Sequence, residues 1–231
     1  MSGPYVWKER PVAAGIQIAR VTALAVHQAY GTITCFVRKS PRNGVVSADD
    51  PVYLLTAGHV LSPNKKKGGI TPVDDVVYQP APVGWINRIA TVDEVHYDGT
   101  LDAGTALLDS DVGFRNYAWK IGDIKSIAAP VPGMKVVKHG RSTGRTYGTI
   151  IDVNTTTNTG DMVFRDLIYI SFDKTNSGNN TTAGFSTEGD SGAPIITGDG
   201  VLVGILHADY DGDAYAINAG TVFAKMMLRL A

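Results

Sequence analysis

Apolar residues along the chain fall in short runs, each closed by Gly, Pro, Asn or Asp. Residues 31–38, 51–56, 75–79, 103–109, 135–138, 146–153, 166–172, 193–197, 201–207 and 214–218 read as strands of this kind. The run Val201-Leu202-Val203-Gly204-Ile205-Leu206 is almost wholly apolar, as a strand covered on both faces would be. Helical spacing is predicted in two places. One is 16–30; the other is 221–230, where Val222, Met226, Leu228 and Leu230 are apolar. Loops are expected at 40–50, 62–72 and 155–161, and over the polar stretch 173–184. The pattern is that of an all-β chain with a C-terminal helix.

Composition narrows this picture. There are 26 glycines in 231 residues, well above the usual ~7%, as a fold with many tight turns requires. The net charge of −1 offers no bulk field for nucleic acid or an anionic membrane. Lys65-Lys66-Lys67 reads as a solvated loop tip. No apolar run approaches the ~18 residues of a membrane span, and the first thirty or so residues lack a secretory pattern. Cys35 is the single cysteine, so no intrachain disulfide can form. These features lead us to expect a cytoplasmic protein without a resident metal or cofactor; His27, His96, His139 and His207 show no zinc spacing.

The segment Gly189-Asp190-Ser191-Gly192-Ala193-Pro194 carries the clearest chemistry. Acyl transfer needs a hydroxyl on a tight turn and amide donors aimed at the developing oxyanion. Gly189 allows its own N–H to face the same point as that of Ser191. A Gly-Asp-Ser-Gly turn alone is also a common surface turn. The segment resembles the Gly-Asp-Ser-Gly-Gly-Pro signature of chymotrypsin-like serine peptidases, with Ala193 in place of the second Gly. His59, in Thr56-Ala57-Gly58-His59, stands where the family has Thr-Ala-Ala-His. An imidazole titrates in the range where it can take and return a proton. Asp102, ahead of the apolar run 103–108, is the candidate for orienting that imidazole. The order His59, Asp102, Ser191 is that of the chymotrypsin-like family and differs from that of subtilisins and α/β-hydrolases.

The stretch His139-Gly140-Arg141-Ser142-Thr143-Gly144 is similar to the Gly-Arg-Thr-Thr-Gly of bacterial members such as alpha-lytic protease. The resemblance implies that Arg141 pairs with Asp190 beneath the oxyanion turn, and that no N-terminal cleavage is needed for activation. It also places Phe185, Glu188, His207 and Asp209 at the substrate pocket. Phe185 stands where trypsin has its acidic floor. Glu188 and Asp209 would favour a basic side chain or sit on the rim facing water; His207 would favour an acidic one. The implied architecture is two antiparallel six-stranded β-barrels, residues 1–120 carrying His59 and Asp102 and residues 121–231 carrying Ser191. The implied activity is endopeptidase cleavage of a protein or peptide substrate, restrained by a narrow target or a regulatory protein partner. A protease-like binding module without catalysis is the rival reading.

Overall fold

The computed structural model describes residues 7–21, 28–40, 47–62, 75–83, 86–177 and 184–231. Most of the loops expected at 40–50 and 62–72, and the second half of 173–184, lie outside the described residues. The chain forms β1 (Val12–Ala14), β2 (Gln17–Val21), β3 (Gln28–Thr32), β4 (Cys35–Lys39), β5 (Tyr53–Thr56), the one-turn α1 (Gly58–Leu61), β6 (Val76–Tyr78), β7 (Arg88–Tyr97), β8 (Asp102–Leu108) and β9 (Phe114–Ala118). Two short strands, β10 (Gly122–Asp123) and β11 (Ser126–Ile127), lead to the second half. There follow β12 (Lys135–Gly140), β13 (Gly144–Thr159), β14 (Met162–Phe172), β15 (Pro194–Ile196), β16 (Val201–Tyr210), β17 (Asp213–Asn218), α2 (Ala219–Lys225) and β18 (Leu228–Leu230).

The strands make two large curled sheets and a small three-stranded one, β1-β9-β10. In the second, β16-β15-β12-β13-β14-β17 run as neighbours, and a further β17–β16 pairing closes them into a six-stranded ring, with β11 added to β16. In the first, the order is β18-β4-β5-β8-β7-β6-β2-β3. Only Ile33 and Thr34 separate β3 from β4. Counted as one bent strand, that pair brings the β3 end of the sheet back to β4 and leaves six strands around the half-barrel, with β18 added outside β4. Ile18, Ile33, Phe36, Leu54, Val60 and Ile89 fill the first core. Ile150, Ile168, Phe185, Ile195 and Val203 fill the second. A third cluster joins Cys35, Leu55 and Leu101 of the first half to Phe164, Ile205 and Phe223 of the second. Burial of this shared apolar surface holds the halves together.

Three local expectations need correction. The described residues of 16–30, 16–21 and 28–30, are not helical: β2 lies hydrogen-bonded between β3 and β6, so pairing on both edges overrides the helical spacing. Its buried Arg20 pairs with Asp75. Residues 155–161 are not a loop but the far end of the β13–β14 hairpin, which turns at Gly160-Asp161. The predicted C-terminal helix is shorter than 221–230. The Asn218 side chain accepts from the Thr221 N–H and starts α2. Met227 then takes a positive φ, and β18 leaves to pair with β4 of the first sheet. The C-terminus thus straps the second half to the first. Among the described residues, no helix is long and apolar enough to cross a membrane.

Candidate active site

Strand β5 ends at Thr56, and α1 carries His59 away from it beside β8. Gly58 is needed for this path, because a Cβ there would lie 2.3 Å from the His96 carbonyl oxygen. Asp102, the first residue of β8, is fully buried. Its Oδ1 accepts the His59 backbone N–H at 2.8 Å, and its Oδ2 lies 2.6 Å from His59 Nδ1. One carboxylate therefore grips both the backbone and the ring of His59. Burial alone would raise the Asp102 pKa. The nearby His59, with N–H bonds from His207 and His59, outweighs burial and holds the group ionised well below the usual carboxylate range.

Ser191 stands on the turn ahead of β15, anchored from the first half. Thr32 N–H donates to the Ser191 carbonyl at 2.9 Å. The Thr32 hydroxyl donates to the Gly189 carbonyl at 3.0 Å, and the Thr34 hydroxyl donates to that of Gly192 at 2.5 Å. Gly189 has φ +93°, a conformation that L side chains rarely adopt, and a Cβ would strike Arg141 and Ser142. Among the described residues, the N–H groups of Gly189 and Ser191 donate to no protein acceptor. Two such adjacent free donors suit an anion that forms during a reaction. Ser191 and His59 line one cleft of about 460 Å³ with Ala29, Tyr30, Val60, Arg141, Glu188 and Gly189. The Ser191 hydroxyl makes no hydrogen bond to His59 here; such bonds are often long or poorly aligned without substrate.

Beneath the turn, the expected Arg141–Asp190 pair does not form. Asp190 is fully buried, and the cation that meets it is Lys138, also fully buried, at 3.3 Å. Lys138 Nζ further donates to the Gly144 carbonyl at 3.0 Å and to the Thr143 hydroxyl, which satisfies all three of its hydrogens. Burial lowers the Lys138 pKa, and Asp190 works against that shift. The segment around Arg141 does hold Asp190, but through its backbone. Ser142 N–H donates to Oδ1 at 2.6 Å, Thr143 N–H at 3.2 Å, and the Thr143 hydroxyl donates to Oδ2 at 2.7 Å. The Arg141 guanidinium turns instead toward the cleft. Its Nε donates to Gln17 Oε1 at 2.6 Å, and its Cζ lies 4.6 Å from the Tyr30 ring centre. Lys138 was missed, although a lysine inside Val136-Val137-Lys138 is a signal of a paired buried charge.

Of the expected pocket residues, the structure brings only Glu188 to the cleft, where it is exposed. Phe185 is wholly enclosed in the second core, with Lys138 Nζ 5.8 Å from its ring centre. Asp209 is exposed near the end of β16. His207 is buried and packs against Asp102 rather than facing the cleft: its Nδ1 lies 2.6 Å from Oδ2. The donor atoms of His59, Asp102 and His207 lie within 4.8 Å of one another, close enough for a metal ion, a grouping their scattered positions in sequence did not reveal. In this structure both Nδ1 atoms are committed to the carboxylate.

No protein-family model matches the sequence, and no curated protein matches it. Solved structures do. Protease A of Thermobifida fusca superposes with a TM-score of 0.67 at 17% identity, over 95% of this chain and 99% of the other. A glutamic acid specific serine protease, described as using a novel histidine triad in substrate binding, superposes at 0.68 and 18% identity, over 95% and 100%. An alpha-lytic protease homolog, N4, gives 0.64 at 19%, over 94% and 98%. The chain has the two-barrel, chymotrypsin-like fold of these bacterial serine proteases.

Proposed function

We propose that the protein is a serine endopeptidase. The observation that carries this reading is the assembly, from three distant segments, of a gripped imidazole, a tight-turn serine and two free amide donors around one cleft. His59 takes the Ser191 proton as the hydroxyl attacks a peptide carbonyl. Asp102 holds the ring with Nδ1–H inward, so that Nε2 is the basic nitrogen, and stabilises the imidazolium that results. The Gly189 and Ser191 amides receive the oxyanion, each worth ~3–4 kcal/mol in the transition state. His59 then returns the proton to the leaving amine, and water activated by the same base releases the acyl group. The cleft lining includes Tyr30, Arg141 and Glu188, which supports recognition of a polar peptide rather than a purely apolar one.

Asp190 supports the same reading. Its counter-charge, Lys138, comes from β12 inside the chain. The oxyanion turn is therefore expected to stand without a newly cleaved N-terminus. The lone Cys35 is buried and unpaired, and this agrees with a reducing compartment such as the cytoplasm. Digestion of a peptide library by the purified chain tests the proposal: a defined set of cleavages is expected, absent in Ser191→Ala. An intact library, with peptides retained equally by wild type and Ser191→Ala, would favour the binding-module reading.

A further inference from the structure

His207 sits on β16 behind Asp102, on the side away from the cleft, and is 3% exposed. Its Nδ1 and that of His59 reach the same carboxylate oxygen, each at 2.6 Å. An ionised carboxylate only accepts, so both Nδ1 atoms must carry hydrogen. His207 Nε2 lies 3.0 Å from the Thr159 hydroxyl, and in the neutral ring it accepts a hydrogen bond from that hydroxyl. Thr159 is the last residue of β13, at the tip of the long hairpin. From the returning strand, Phe164 lies 4.4 Å from the His207 ring and 5.1 Å from that of Tyr97. The same tip reaches the first half through Arg165 N–H, which donates to the Gly99 carbonyl at 3.0 Å. A polar chain thus runs from the second barrel through Thr159, His207 and Asp102 to His59.

The geometry points to His207 as a positioning residue, which shares and fixes the charge that Asp102 offers to His59 and ties that carboxylate to the β13–β14 hairpin. This rests on the reading of Ser191, His59 and Asp102 as a peptidase triad. Two N–H groups on one oxygen divide its charge. His59 therefore meets a less basic partner than a carboxylate of its own would be, and the carboxylate cannot rotate away when the proton arrives from Ser191. The ionisable groups facing His207 are Asp102 and His59, with Tyr97 beyond the Phe164 ring; the hairpin contributes the uncharged Thr159 and Phe164.

The test compares wild type, His207→Leu and His207→Asn by peptide hydrolysis across pH and by ¹⁵N NMR of the imidazoles. The asparagine amide can place an N–H where Nδ1 stood, but it carries no second ring nitrogen for Thr159. His207→Leu is expected to lower kcat by about tenfold to a hundredfold, the loss of one hydrogen bond to a charged group. KM should move less than about twofold. The acid limb of kcat/KM should shift to higher pH, because an undivided carboxylate strengthens the proton affinity of His59. His207→Asn should recover most of kcat and return the acid limb toward wild type. A folded His207→Leu with wild-type kcat and acid limb overturns the proposal, as does an asparagine variant no better than the leucine one. If wild type cleaves no peptide, the peptidase reading fails and the NMR arm decides this one alone. The His59 Nδ1–H resonance must move in His207→Leu and return in His207→Asn; a resonance that stays in place in both overturns it.

Discussion

Two aspartates, Asp102 and Asp190, are both fully buried near the Ser191 turn, and their surroundings differ in kind. Asp102 is met by one backbone amide and two imidazoles. Asp190 is met by the amides of Ser142, Thr143 and Thr187, a threonine hydroxyl and a lysine. A buried charge needs compensation in either case. Imidazoles supply it with rings whose second nitrogen can take or give a proton; backbone amides supply it with groups that cannot. The first carboxylate can take part in proton traffic, while the second can only hold a turn in shape.

The largest effect should follow from Asp102→Asn. The amide would leave His59 in the wrong tautomer, and kcat should fall by ~10⁴-fold with substrate binding retained. Steady-state kinetics on a cleaved peptide would measure it; a loss under tenfold would erase the difference between the two sites. Next comes Asp190→Asn, which strands the Lys138 ammonium in the core. Urea unfolding should show a loss of about 3–5 kcal/mol, and adding Lys138→Met should restore much of it. If the double variant is no more stable than the single, the pair is not what balances Asp190.

A third buried group separates acid sensitivity of the fold from that of the site. His139, next to Lys138, donates from Nδ1 to the Gly15 carbonyl at 2.8 Å, and burial pushes its pKa down to about 4. The folded state then binds fewer protons than the unfolded state between pH 6.5 and 4. Stability must fall as pH drops through that window, by about 3 kcal/mol in all. Unfolding free energies should show this slope in wild type and a flatter one in His139→Gln; equal slopes would assign the acid sensitivity elsewhere. The smallest effect is expected from Arg141→Ala, below about 1 kcal/mol, since this half-exposed side chain leaves no buried charge behind. A loss as large as that of Asp190→Asn would make Arg141 the true support of the turn.

The candidate residues that stood out in the sequence are those set in a special backbone. Ser191 and His59 stand in small-residue turns, and the close approach of the His96 carbonyl to Gly58 explains why glycine stands where chymotrypsin-like peptidases have alanine. The segment that supports Asp190 stood out as well, but through the wrong side chain, because the decisive bonds run from the backbone of Ser142 and Thr143, and the backbone carries no residue-specific signal. The far end of the β13–β14 hairpin was unreadable for another reason. Val153, Thr155, Thr157 and Thr159 alternate as half-buried positions with exposed Asn154, Thr156 and Asn158. Polar side chains fill nearly all of both faces, so no apolar alternation marked a strand. His207 looked like a pocket residue because its partner lies 105 positions away in sequence, on the other barrel.

The peptidase reading stands or falls with Ser191 as an activated nucleophile. Reaction of the folded chain with a fluorophosphonate, followed by intact mass and peptide mapping, addresses it most directly. One adduct is expected, on Ser191, formed without N-terminal trimming and absent in both Ser191→Ala and His59→Ala. A folded protein that forms no adduct, or one that keeps its adduct in Ser191→Ala, would contradict that reading.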